Sequence, residues 1–211
     1  MSKINTDYVW YSSYGSNLCE ERFLCYIKGE KPPGSSKREV GCRDQSLPLQ
    51  TRVVNLPFHL YFSTHSKRWG GGVAFIGTSK DSSVRTLGRM YLITKEQFID
   101  VVKQENGVDD IVIDFDSVIE NDSKVIRESR YGNIMYVGDC DNYPIFTFTH
   151  YLDIDQIEHT TPSRSYLTML IRGYKEAYCV SDEQILQYLL DKPGIKSKYT
   201  TDQLLQIIKV A

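Results

Sequence analysis

Two places in this chain carry residue types suited to chemistry. The first reads Tyr8-Val9-Trp10-Tyr11-Ser12-Ser13-Tyr14-Gly15-Ser16-Asn17-Leu18. An apolar, aromatic strand runs into a Gly-Ser-Asn turn, and a helix is expected to follow at once. The opening N–H groups of a helix lack partners inside it, and the helix dipole adds partial positive charge at that end. A carboxylate or a developing oxyanion would be stabilised there. Gly15 allows a sharp turn and the close approach of a ligand. Asn17 is placed to cap the helix, with Glu20 three residues on completing a capping box. The same residues also make an ordinary strand–helix junction with no ligand. The second place is Glu105. It lies seven residues after Phe98 and four after Val101, so it projects from the apolar face of a helix. Burial and the last helical turn both disfavour a negative charge. The expectation is a carboxyl group inclined to hold its proton, and so able to give and take one near neutral pH. The alternative is a frayed last turn that leaves Glu105 in solvent.

The elements around these residues follow from pattern. A first helix is expected from Leu18 to about Lys28, with Leu18, Phe23, Leu24 and Ile27 on its apolar side and Gly29 ending it. The stretch 30–49 is rich in Lys, Pro, Gly and Ser and reads as a loop and a candidate lid. Strand-like runs follow at Thr51–Asn55, Pro57–Ser63, Gly72–Ile76 and Leu87–Ile93. Thr94-Lys95-Glu96-Gln97 is a capping box for the helix that carries Glu105, and Asn106-Gly107 stops it. A β-rich part resumes at Asp110–Val118, Asn133–Val137 and Tyr143–His150. Pro162 is expected to open a later helix, and boxes at Ser181 and Thr200 open two more. Strands and helices do not alternate, so the chain reads as α+β, with a small, mixed β-barrel and helices around it. A single domain over 1–211 is expected, with C-terminal helices at 181–211 packed on it.

The totals exclude several classes. Lys and Arg number 25 against 27 Asp and Glu, for a net charge of −2, so nucleic-acid binding through a basic surface is not expected. Five cysteines are scattered with no Cys-x-x-Cys pair, which argues for reduced thiols, a cytoplasmic protein, and no zinc or redox motif. Four histidines stand far apart, so no metal site is expected. No signal peptide and no membrane-spanning stretch is read. Ser16 lacks the Gly-x-Ser-x-Gly elbow of a serine hydrolase. Gly70-Gly71-Gly72 lacks the Lys-Ser or Lys-Thr of a phosphate loop, and reads as a corner between strands.

Tyr11-Ser12-Ser13-Tyr14-Gly15-Ser16-Asn17-Leu18 resembles the Tyr-x-x-Tyr-Gly-Ser-Asn-Leu signature of the γ-glutamylcyclotransferase family, a group that includes the AIG2-like proteins. Trp69-Gly70-Gly71-Gly72-Val73-Ala74 and Leu87-Gly88-Arg89-Met90-Tyr91 look like its next two strands. Gln104-Glu105-Asn106-Gly107-Val108 is similar to the segment that holds its acidic catalytic residue, and 162–176 looks like its late helix. The resemblance implies a mixed β-barrel and a small-molecule γ-glutamyl substrate, with no cofactor. It implies cleavage of a γ-glutamyl amide by the substrate's own α-amine, giving 5-oxoproline and a free amine or amino acid. In those roles Glu105 would move the proton. Tyr11, Ser12, Ser13, Tyr14, Gly15, Ser16 and Asn17 would hold the glutamyl head. The family places a Gly and a Tyr shortly after its acidic segment, whereas Val108-Asp109-Asp110-Ile111 here reads as the start of a strand. A charged hairpin at 119–142, with Arg127, Arg130 and Tyr131, is a second candidate lid. A binding or regulatory module that kept the pocket and lost the reaction is the alternative from another class.

Overall fold

The computed structural model describes residues 7–32 and 37–211. The readings that touch residues 1–6 and 33–36 lie outside the described residues. The chain divides into two compact units. The first takes the described residues of Met1–Ser13 and Glu21–Val54, together with Arg89–Tyr151. The second takes Tyr14–Glu20, Asn55–Gly88 and Leu152–Ala211.

A mixed sheet organises the first unit. Its order is β2 (Gln50–Leu56), β5 (Thr86–Thr94), β1 (Tyr8–Ser13), β8 (Tyr143–Thr149), β7 (Asn133–Cys140) and β6 (Ser123–Val125). Strand β1 runs antiparallel to β5, with Tyr11 opposite Tyr91, and parallel to β8, with Tyr11 opposite Phe146. Side chains alternate across the sheet. Val9, Tyr11, Tyr91, Ile93, Ile134, Phe146 and Phe148 form a core with α1 (Glu20–Lys28), α2 (Lys95–Asn106) and α3 (Phe115–Glu120). Trp10, Met90, Leu92 and Ile145 form a smaller cluster from the alternate positions. The α+β class is as expected, but the sheet ends in edges at β2 and β6 and is not a closed barrel. Four consecutive exposed residues open β2, and β6 is only three residues long, so neither edge is built to close on the other.

Three local expectations change. The first helix begins at Glu20, not Leu18, and it buries Arg22, Cys25 and Tyr26, whereas Leu24 is only half-buried. Asp110–Val118 is no strand. Ile111, Ile113 and Phe115 are buried and Val112 exposed, which gives a strand's alternation without a ladder. Asp114 then accepts from Ser117 N (3.1 Å) and opens α3 instead.

In the second unit, β3 (Leu60–Ser66) and β4 (Gly71–Ile76) pair antiparallel. The helices α4 (Arg164–Ala177), α5 (Asp182–Leu190) and α6 (Thr201–Val210) follow in the chain. Both Ser181 and Thr200 form the expected capping boxes. Pro162 does not open α4. It sits in a bridge with Gly72, and the Ser163 hydroxyl caps the helix by accepting from Tyr166 N (3.2 Å).

Candidate active site

In the first unit, Tyr11, Ser12 and Ser13 are buried within β1. The Tyr11 ring stands 5.3 Å from Phe148, 5.4 Å from Phe23 and 5.9 Å from Phe98 of α2. It therefore ties the strand to the helix that bears Glu105. Thr147 Oγ1 donates to Ser12 O (2.7 Å) across to β8. The sheet ladder runs to Ser13 opposite Arg89, so these three residues serve as the sheet's inner rails.

In the second unit the chain turns. Ser16–Leu18 is a single 3-10 turn preceded by Gly15, closed by Leu18 N to Gly15 O (3.0 Å) and Cys19 N to Ser16 O (3.3 Å). Asn17 falls within this turn and Glu20 N is taken by Glu176, so the expected box between Asn17 and Glu20 does not form. Asn17 lies inside the turn and is buried. Cys19 is extended (φ −70°, ψ 115°), which breaks the helix that pattern alone would have continued from Leu18. The first amide of α1 finds a distant partner, since Glu20 N donates to Glu176 Oε1 of α4 (3.4 Å). One 3-10 turn sums few peptide dipoles, so the turn lacks the macrodipole of a long helix.

Gly15 has φ −107°, which any residue can adopt, so its use is space rather than turn geometry. A Cβ there would stand 3.2 Å from the Tyr166 hydroxyl. That hydroxyl accepts from Ala74 N (2.9 Å), and the ring meets Trp69 at 5.2 Å. The sequence reading has 162–176 only as a late helix and gives Tyr166 no role. Its hydroxyl beside the Gly-Ser-Asn turn is the site feature that pattern missed. The hint available was a phenol on an apolar helix face, since a buried Tyr O–H needs a partner. Tyr166→Phe is expected to strand the Ala74 N–H and to cost about 1–3 kcal/mol, read from denaturant unfolding.

Glu105 is half-buried in the last turn of α2, below Phe98, Val101 and Val102 of the first unit's core. The helix forms as pattern predicts. Thr94 Oγ1 accepts from Gln97 N (3.1 Å) and Gln97 Oε1 accepts from Thr94 N (3.0 Å). Gly107 ends it at φ 65°, with its N–H returned to Gln104 O and Lys103 O. That left-handed closure suits glycine and fixes the turn that carries Glu105.

Neither candidate lid is loose at its described residues. In the first stretch Gly41, Arg43, Asp44 and Ser46 bond to Gln104, Asp100 and Gln97 of α2, and Arg22 of α1 pairs with Glu39 (3.9 Å). In the second, Arg127 pairs with Asp110 (3.2 Å) and the Tyr131 ring packs on Phe148 at 5.5 Å.

Compared with solved structures, the chain matches one named gamma-glutamyl cyclotransferase at 16% identity and TM-score 0.53, covering 97% of this chain and 100% of that one. The chain has the γ-glutamylcyclotransferase-like fold. A human protein described as uncharacterised shares it at 18% identity and TM-score 0.51, over 96% of this chain and 99% of that one. No family model matches the sequence. The γ-glutamylcyclotransferase-like chain is also 36% identical over 201 residues to a protein of Arabidopsis thaliana named histone deacetylase 5. That match covers 86% of this chain and 30% of the plant protein, so the chain spans less than a third of that relative's length. Among the described residues, no three or more His, Cys, Asp or Glu gather where a metal ion could be held. No helix among them is long and apolar enough to cross a membrane.

Proposed function

We propose that this protein is an enzyme of the γ-glutamylcyclotransferase type. Its substrate is a γ-glutamyl amide with a free α-amine. The amine nitrogen bonds to the γ-carbonyl carbon, the amide C–N bond breaks, and 5-oxoproline and an amine leave. Glu105 takes the proton that the attacking nitrogen loses and gives it to the leaving nitrogen. Backbone N–H groups at the Gly15-Ser16 end of the Tyr11–Ser16 segment stabilise the charge that grows on oxygen. Because the attack is intramolecular, the protein has only to hold the chain folded back and to move one proton. The observation that carries this reading is the fold likeness to a named cyclotransferase across nearly all of both chains. The Tyr-x-x-Tyr-Gly-Ser-Asn-Leu run and an acid in the last turn of α2 supply the residues it needs.

Blocking the α-amine tests the reaction itself. A γ-glutamyl amide is expected to be cleaved, and its N-acetyl derivative to remain intact over the same time. Equal cleavage of both would point to attack by water and would contradict ring closure.

The second reading is a binding or regulatory module that keeps the pocket without the reaction. It is favoured by the match to a stretch of a much longer protein with a different name. It predicts saturable binding of γ-glutamyl compounds, by calorimetry, with no product formed.

A further inference from the structure

The two residues that flank Glu105 are both amides, and both are spent on holding other parts of the chain. Asn106 uses its whole side chain. Its Nδ2 donates to Val102 O (2.9 Å) and to Tyr131 O (3.1 Å). Its Oδ1 accepts from Ser129 Oγ (2.7 Å) and from Tyr131 N (3.3 Å). The gripped turn is itself closed, with Ser129 N on Arg127 O (2.9 Å) and Ile126 N on Gly132 O (2.8 Å). Gln104 reaches the other way. Its Oε1 accepts from Gly41 N (3.1 Å), and its Nε2 donates to Tyr26 O of α1 (3.1 Å). Glu105 thus sits between two side-chain anchors, in the last turn that the Gly107 closure holds only through its backbone.

We propose that Gln104 and Asn106 are positioning residues that fix the Glu105 carboxyl group for proton transfer. This rests on the reading of Glu105 as the group that moves the proton. The physical ground is the steep cost of misplacement, since an error of about 1 Å can lower a rate roughly 100-fold. Asn106 matters more, because three of its four bonds tie the last helical turn to Ser129 and Tyr131, and an Asp there could not donate to the two carbonyls.

The test compares N106A, N106D and Q104A with Q97A. Gln97 lies at the opposite end of α2 and its side chain makes three bonds, with Thr94 N, Asp44 O and Ser46 O, so Q97A disturbs the same helix far along the chain from Glu105. N106A and N106D are expected to lower kcat by roughly 10–100-fold with KM held within about twofold. Q104A is expected to lower kcat less, and Q97A to lower thermal stability while keeping kcat. Full kcat in N106A, or an equal loss in Q97A, would overturn the assignment. Amide hydrogen exchange gives a readout that needs no turnover. N106A is expected to speed exchange at 104–108 and 129–132 together, and Q97A to leave both unchanged. Unchanged exchange at 104–108 in N106A would refute the anchor. Absence of product with the unmodified protein would strike the reaction instead, leaving exchange to decide whether the anchor exists.

Discussion

Glu105→Gln is expected to abolish release of 5-oxoproline and to leave the protein folded. The rate should fall by roughly 10²–10⁴-fold, the range that a positioned proton-transfer group supplies. Stability should hold, because Gln matches Glu in shape. A neutral side chain in the last turn of α2 also removes a charge that the helix end disfavours. Gly107 and the flanking amides hold that turn through bonds of their own. Circular dichroism melts check the fold, and product quantitation checks the rate. A variant with full activity would take proton transfer away from Glu105, whatever the reaction proves to be.

Gly173→Ala is expected to destabilise the protein, against its helix propensity. On helix propensity alone Ala would gain about 1 kcal/mol in the middle of α4. The structure reverses that sign. A Cβ at 173 would come 2.5 Å from Leu18 Cβ and 2.8 Å from Cys19 N. The second contact is backbone and cannot rotate aside, so the helix and the Ser16–Leu18 turn must separate. Overpacking of this kind costs about 1–3 kcal/mol. It also moves the turn whose donors the proposed reaction uses, so kcat/KM should fall roughly 10-fold or more. Unfolding in denaturant and steady-state kinetics measure the two effects. A stabilised and fully active G173A would show that this close packing is unimportant.

Much of the fold was readable because its signals are local. Thr94-Lys95-Glu96-Gln97, Ser181-Asp182-Glu183-Gln184 and Thr200-Thr201-Asp202-Gln203 each form both bonds of a capping box. Gly107 and Gly29 end their helices with positive φ, as their positions suggested. What failed depended on partners far along the chain. Leu18 carries helical pattern, but the approach of Gly173 and an extended Cys19 leave a 3-10 turn, and the first amide of α1 is met by Glu176. Ile111, Val112, Ile113 and Phe115 alternate like a strand, yet no strand among the described residues pairs with them. Closure of a sheet is likewise a property of its edges, and composition says nothing of whether β2 will meet β6. In the site, Glu105 stood out by its spacing from Phe98 and Val101. Tyr166 did not, because nothing near it in sequence points to Ala74 N or Gly15.

The most direct measurement incubates the unmodified protein with γ-glutamyl amino acids, γ-glutamyl amines and glutathione, and assays 5-oxoproline by chromatography. At least one of these amides should yield 5-oxoproline and its free amine in equal amounts. If none does, at protein concentrations where binding is saturated, then this fold serves here as a receptor and not as a catalyst.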